Sequence, residues 1–90
     1  AKKIPMMIKT NGLAATFAFA ISKDNKNYEA LAKTTCEWLK ERGMLHEDDT
    51  HNEMAYKMVE KSPVEYRRMT QEVMALFGWL RRYAEGLNKS

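Results

Sequence analysis

A single cysteine, Cys36, stands among the 90 residues. One thiol cannot build an internal disulfide framework, and it excludes a zinc site made of several cysteines; the expected setting is reducing, intracellular and cytoplasmic. Long apolar runs are missing as well. The nearest, Leu13 to Ile21, falls short of the roughly 18 residues that cross a bilayer and lacks the context of a cleavable signal, so neither a membrane partner nor a signal peptide is expected. Only four glycines and two prolines interrupt the chain, and no stretch alternates apolar with polar residues for long enough to argue a strand. There is no Gly-rich phosphate loop, nucleophile elbow, His-Glu-x-x-His motif or catalytic carboxylate pair. The expectation is a protein that is not an enzyme, with no cofactor, no metal and no small-molecule substrate. Charge of one sign is also scarce: 15 Lys+Arg against 12 Asp+Glu leave a formal +3, which excludes a supercharged nucleic-acid-binding tail.

What is present is helical. Seven methionines accompany many Ala, Leu, Lys and Glu residues, and 44% hydrophobic with 30% charged content describes one small domain over residues 1–90. A chain of this size buries only about 60–65% of its unfolded surface, so partner surfaces are expected to contribute to its stability. It begins at Ala1 without an initiator Met. Initiator removal and a missing upstream part of the domain both account for that, and the second is the expectation.

The pattern predicts four helices in an all-α bundle. The first covers Ile4 to Ser22, with Pro5 where a first turn tolerates it. Its apolar residues occupy most of the circumference and leave only Pro5, Lys9, Gly12 and Thr16 as a non-hydrophobic strip, the mark of a central helix. After a polar loop at 23–27, a second helix covers Tyr28 to Arg42, with Gly43 at its C-terminal cap. The connector His46-Glu47-Asp48-Asp49 reads as a solvated loop. Thr50 and Glu53 then form a capping box for a short third helix reaching Lys61, with Met54, Ala55, Met58 and Val59 inward. Ser62-Pro63-Val64-Glu65 is the clearest local signal: an N-cap, a first-turn proline and a box-closing glutamate. It opens a long fourth helix to Glu85, capped by Gly86, with Tyr66, Met69, Val73, Leu76, Phe77, Leu80, Tyr83 and Leu87 as core positions.

The candidate chemistry is basic. Arg67-Arg68 and Arg81-Arg82 are separated by fourteen residues, about 21 Å of helix and a rotation about 40° short of four turns, so both pairs share one side. Such a ladder of guanidinium forks can track a phosphate backbone without reading bases. The same residues equally suit the solvated face of a bundle helix, with Arg81-Arg82 favouring its C-terminal dipole. Lys9 lies on the strip of small residues, where it either meets a phosphate or reaches past a packed helix to solvent. His46 and His51 match no standard ligand spacing. Trp38, Trp79 and Tyr83 fit core stripes; an RNA-stacking platform would require them to be exposed. Cys36 reads as a small packing residue.

Three stretches resemble a known family. The run Ile4-Pro5-Met6-Met7-Ile8-Lys9-Thr10-Asn11-Gly12-Leu13, continuing to Phe19, is similar to the hallmark of the CRISPR type III-B (Cmr) small subunit. Glu65 to Val73 and Trp79 to Leu87 resemble its last helix, and Tyr28 to Leu39 its Y-x-x-L…W-L helix. The resemblance implies a non-catalytic, all-helical subunit of an RNA-guided antiviral complex. Copies of such a subunit stack as a minor filament beside other Cmr effector subunits and line the channel holding guide RNA and target RNA. The contacts it implies are sequence-independent and made to the RNA backbone, and it supports a nucleic-acid-binding role for Lys9, Arg67, Arg68, Arg81 and Arg82. One departure accompanies it: the family has a helix before the Ile-Pro-Met-Met segment, of which this chain has almost none.

Two other readings stand beside this one. Helices three and four joined at Ser62-Pro63 suit a DNA-binding helix-turn-helix regulator, although the fourth is long and apolar for a groove-reading helix. A small ribonuclease would use His46 and His51. The charge distribution favours the RNA-lining reading. Residues 46–53 hold four of the 12 acidic side chains and no Lys or Arg, which leaves 15 basic and 8 acidic residues, a net +7, in the other 82. The basic body thus carries an acidic connector.

Overall fold

A computed structural model describes residues 3–88, and the side-chain surroundings of residues 3–86. Five helices make up the described chain: α1 (Lys3–Asn11), α2 (Leu13–Ser22), α3 (Lys26–Glu41), α4 (Met54–Val59) and α5 (Pro63–Asn88). The fold is an all-α bundle without strands among the described residues. Its core gathers Ile4 and Ile8 from α1, Leu13 and Phe17 from α2, Ala32 and Leu39 from α3, Met54 and Met58 from α4, and Met69, Val73 and Leu76 from α5.

The expected first helix is in fact two. Gly12 breaks it with φ +92° and ψ 161°, a region that side chains with a Cβ rarely enter. Gly12 still donates to the Ile8 carbonyl at 3.0 Å and accepts from the Thr16 N–H at 3.2 Å, so the chain turns without unwinding. As the N-cap of α2, glycine has no side chain with which to satisfy the first free N–H groups. Tyr66 of α5 supplies the missing acceptor, its Oη taking the Ala14 N–H at 2.9 Å. The break also dissolves the expected strip. Thr16 is fully buried, its Oγ1 donating to the Gly12 carbonyl at 2.8 Å, while Lys9 stays exposed. The central position belongs to α2, which packs on α1, α3 and α4, whereas Met6 of α1 is exposed.

Capping explains the remaining boundaries. Asn25 opens α3 two residues ahead of the expected start, its Oδ1 accepting from the Asn27 and Tyr28 N–H groups at 2.8 and 3.2 Å. Gly43, at φ +73°, closes it as expected. Its N–H donates to the Lys40 carbonyl and that of Met44 to the Leu39 carbonyl, the paired bonds of a Schellman cap. The connector is solvated over His46, Glu47 and Asp48, as the sequence reading has it, but not at its end. Leu45 and Asp49 are buried, and Asp49 Oδ2 accepts the His46 N–H at 2.8 Å.

The Thr50 capping box does not form. Thr50 Oγ1 instead donates to Glu53 Oε1, and α4 starts only at Met54, without a side-chain cap, and ends at Val59. Val59, expected inward, is exposed. Ser62 caps α5 as expected, its Oγ accepting the Glu65 N–H at 3.2 Å. Gly86 does not end α5, which continues to Asn88; a glycine inside a helix costs only about 1 kcal/mol against alanine. The expectation that Leu87 is a core residue lies outside the described side chains.

Candidate nucleic-acid interface

The rotation of α5 is set at its start by the Ser62 cap and along its length by the buried row Met69, Val73, Leu76 and Phe77. At 100° per residue, that row turns both arginine pairs away from the core. Arg67, Arg68, Arg81 and Arg82 are all exposed. They form two lines about 100° apart, Arg67 with Arg81 and Arg68 with Arg82. The two lines are not equivalent, because Arg81 Nε engages Glu85 Oε1 at 3.2 Å, one turn on.

Packing of α3 against α5 brings two further cations to Arg68. A groove between the end of α3 and the start of α5 is lined by Arg42, Met44, Lys61, Glu65, Arg68 and Met69. Arg42 is held on two sides: its guanidinium lies 4.5 Å from the centre of the Trp38 ring, and its Nε is 3.4 Å from Glu72 Oε1. The same Glu72 oxygen accepts the Trp38 Nε1–H at 3.2 Å, which accounts for Trp38 being half-buried rather than enclosed. A planar guanidinium on an aromatic face loses less freedom when it binds an anion than one left loose in water. The three cations also complement the carbonyl end of α3. Lys9 stands apart on α1 and does not line this groove.

Sequence reading passed over Arg42 and Lys61. Each sits beside correctly read punctuation, Gly43 and Ser62, but only the packing of α3 on α5 makes the two junctions neighbours.

The burial expected of Trp79 and Tyr83 fails. They are 60% and 58% exposed, with rings stacked at 5.6 Å between centroids and 10° between planes. At about 1.5 Å per residue, α5 extends about 39 Å, close to the longest dimension of the molecule, 42 Å. Residues 81–86 are all exposed, so the apolar periodicity continues past the last element able to cover it.

His46 is exposed, and His51 is half-buried with its Nε2 4.0 Å from Glu29 Oε1. No cluster of three or more potential metal ligands occurs among the described residues. The Cys36 thiol is buried with its Sγ 3.7 Å from the Asp49 carbonyl, and desolvation pushes its pKa above 9.0. Burial and the raised pKa hold it as the thiol. No helix among the described residues is long and apolar enough to cross a membrane.

A family model described as CRISPR-associated protein (Cas_Cmr5) matches residues 1–87. The chain belongs to the Cmr5 family. This is the family of type III-B Cmr small subunits that the Ile4–Phe19 run and the two α5 segments resembled. Among curated proteins, the CRISPR system Cmr subunit Cmr5 of Thermus thermophilus is similar at 29% identity over 87 residues, covering 97% of this chain and 70% of that protein. No solved structure matches significantly. Cmr5 membership disfavours the helix-turn-helix reading, as does the packing: α4 has six residues and rests on α2, while α5 packs on α3 and α1.

Proposed function

We propose that this chain is a non-catalytic small subunit of a type III-B Cmr RNA-guided effector complex acting in antiviral defence. In this reading it works in the cytoplasm as one helical domain, assembles with other Cmr subunits and stacks with copies of itself as a minor filament. It lines the channel that holds guide RNA and target RNA. The observation that carries the reading is the family match across residues 1–87, supported by the similarity to a protein named as a Cmr subunit. The surface of α5 is consistent with it. Exposed Arg67, Arg68, Arg81 and Arg82, joined by Arg42 and Lys61 at one end, suit contacts to phosphates, which fix a backbone without reading its sequence. Lys9 is a further contact from α1.

Replacing Arg67, Arg68, Arg81 and Arg82 together by Glu tests the site in the assembled complex. All four side chains are exposed, so the helical spectrum should survive while RNA retention falls and wild-type retention weakens with salt. Each phosphate contact on a single strand contributes a slope of about −0.7 in log K against log salt. Unchanged retention in the charge-reversed complex would overturn the assignment of these residues. Failure of the chain to co-purify with other Cmr subunits and a short RNA would overturn the function itself.

A further inference from the structure

The basic groove and the aromatic pair lie on one face of the same helix. Arg68 and Trp79 are eleven residues apart, about 16 Å along α5 and within about 20° in rotation. Gln71 and Ala75, exposed and uncharged, occupy the stretch between them. Glu72 borders that stretch, but its carboxylate accepts from Trp38 and lies against Arg42. At the far end, exposed Arg82 flanks the stacked rings of Trp79 and Tyr83. The face therefore runs from a group of three cations, across a neutral strip, to an aromatic ledge with a cation beside it. Glu65, which accepts from the Ser62 hydroxyl, is the carboxylate lining the groove itself.

We propose that this face binds a short unpaired stretch of RNA, with phosphates on Arg42, Lys61, Arg68 and Arg82 and a base stacked on the Trp79–Tyr83 ledge. The inference rests on the RNA-lining function above and deepens it. Backbone contacts alone do not distinguish paired from unpaired RNA, whereas an exposed aromatic ledge does. A single strand has free π-faces to stack, and a duplex keeps its faces inside its own stack. Arg82 beside the rings and the three cations at the other end complement a polyanion, and the ledge requires no particular base, because every base has a π-face.

The test compares binding of the full chain to fluorescent single-stranded oligouridylate and to an RNA duplex of equal length, by anisotropy at low salt. Trp79→Leu with Tyr83→Leu should weaken single-strand binding about tenfold or more, change duplex binding less than about twofold, and preserve the circular dichroism spectrum, since both rings are exposed. Trp79→Phe, which keeps a stacking face, should retain most of the single-strand affinity. If the double Leu variant binds the single strand as the wild type does, while the four-arginine charge reversal abolishes binding, the ledge proposal falls and the RNA-lining function stands. If neither variant alters binding, the ledge proposal and the assignment of the four arginines both fall. Equal losses for single strand and duplex would also overturn the proposal. So would a self-association, seen by sedimentation, that Trp79→Leu removes, because the ledge would then be a protein contact.

Discussion

Replacing Gly12 by alanine separates two geometries by the sign of its effect. In a continuous helix from Ile4 to Ser22, a mid-helix Gly→Ala change stabilises by about 0.5–1 kcal/mol, because alanine loses less backbone freedom on folding. In the observed break, Gly12 sits at φ +92° and ψ 161°, where a residue with a Cβ is strained by about 1–3 kcal/mol. The added Cβ would also lie 3.3 Å from Tyr66 Oη, so that hydroxyl must shift by a few tenths of an ångström. It is the acceptor of the Ala14 N–H, and loosening this bond forfeits part of the roughly 0.5–1.5 kcal/mol that a hydrogen bond contributes. Together the two effects predict a loss of about 2–4 kcal/mol, or a Tm lower by roughly 10–25 °C for a domain of this size. Thermal unfolding followed by circular dichroism measures it directly. Tyr66→Phe alone should cost about 1–3 kcal/mol by leaving the part-buried Ala14 N–H without its acceptor. With Gly12→Ala the combined loss should be smaller than the sum, since the crowded oxygen is gone. A Tm that rises in Gly12→Ala would refute the break and the role given to Tyr66.

Ser62→Ala should lower stability by about 0.5–2 kcal/mol, read as a reduced urea midpoint with an unchanged slope, because Oγ accepts the Glu65 N–H at the start of α5; an unmoved midpoint would show that Pro63 alone starts the helix. Burial raises the Cys36 pKa in the folded state above 9.0, so the native protein binds more protons than the unfolded chain once pH exceeds that value. The stability associated with the neutral thiol is therefore complete below about pH 9 and declines as pH rises toward the folded pKa. Cys36→Ala should flatten this alkaline decline in a series of urea titrations across pH, and an identical decline in the variant would assign it to other groups.

The all-helical class, the Gly43 stop and the Ser62 start were legible because each depends on residues within a few positions of one another. Hydrogen bonds of a Schellman cap or an N-cap span two to five residues, and hydrophobic period follows from helical geometry alone. Gly12 shows where such locality ends. Its neighbours are strong apolar helix formers, and the break is held by a hydroxyl 52 residues away. Thr50 and Glu53 fit a capping box by spacing, yet the adjoining Asp49 is buried and α4 starts later. Trp79 and Tyr83 have the period of core residues, but burial requires a facing element, and none covers the last turns of α5 among the described residues.

The same division runs through the candidate interface. By itself, the sequence determined that Arg67, Arg68, Arg81 and Arg82 share the outer side of one helix, because rotation per residue is constant, and the motifs at both ends pointed to the Cmr small-subunit family. Tertiary structure alone decided which cations stand together. Packing of α3 on α5 sets Arg42 and Lys61 beside Arg68, while Glu85 engages Arg81. It also left the Trp79–Tyr83 stack exposed on the Arg68 side. Side-chain chemistry is written locally along the chain, whereas burial and proximity depend on what the rest of the chain places opposite each residue.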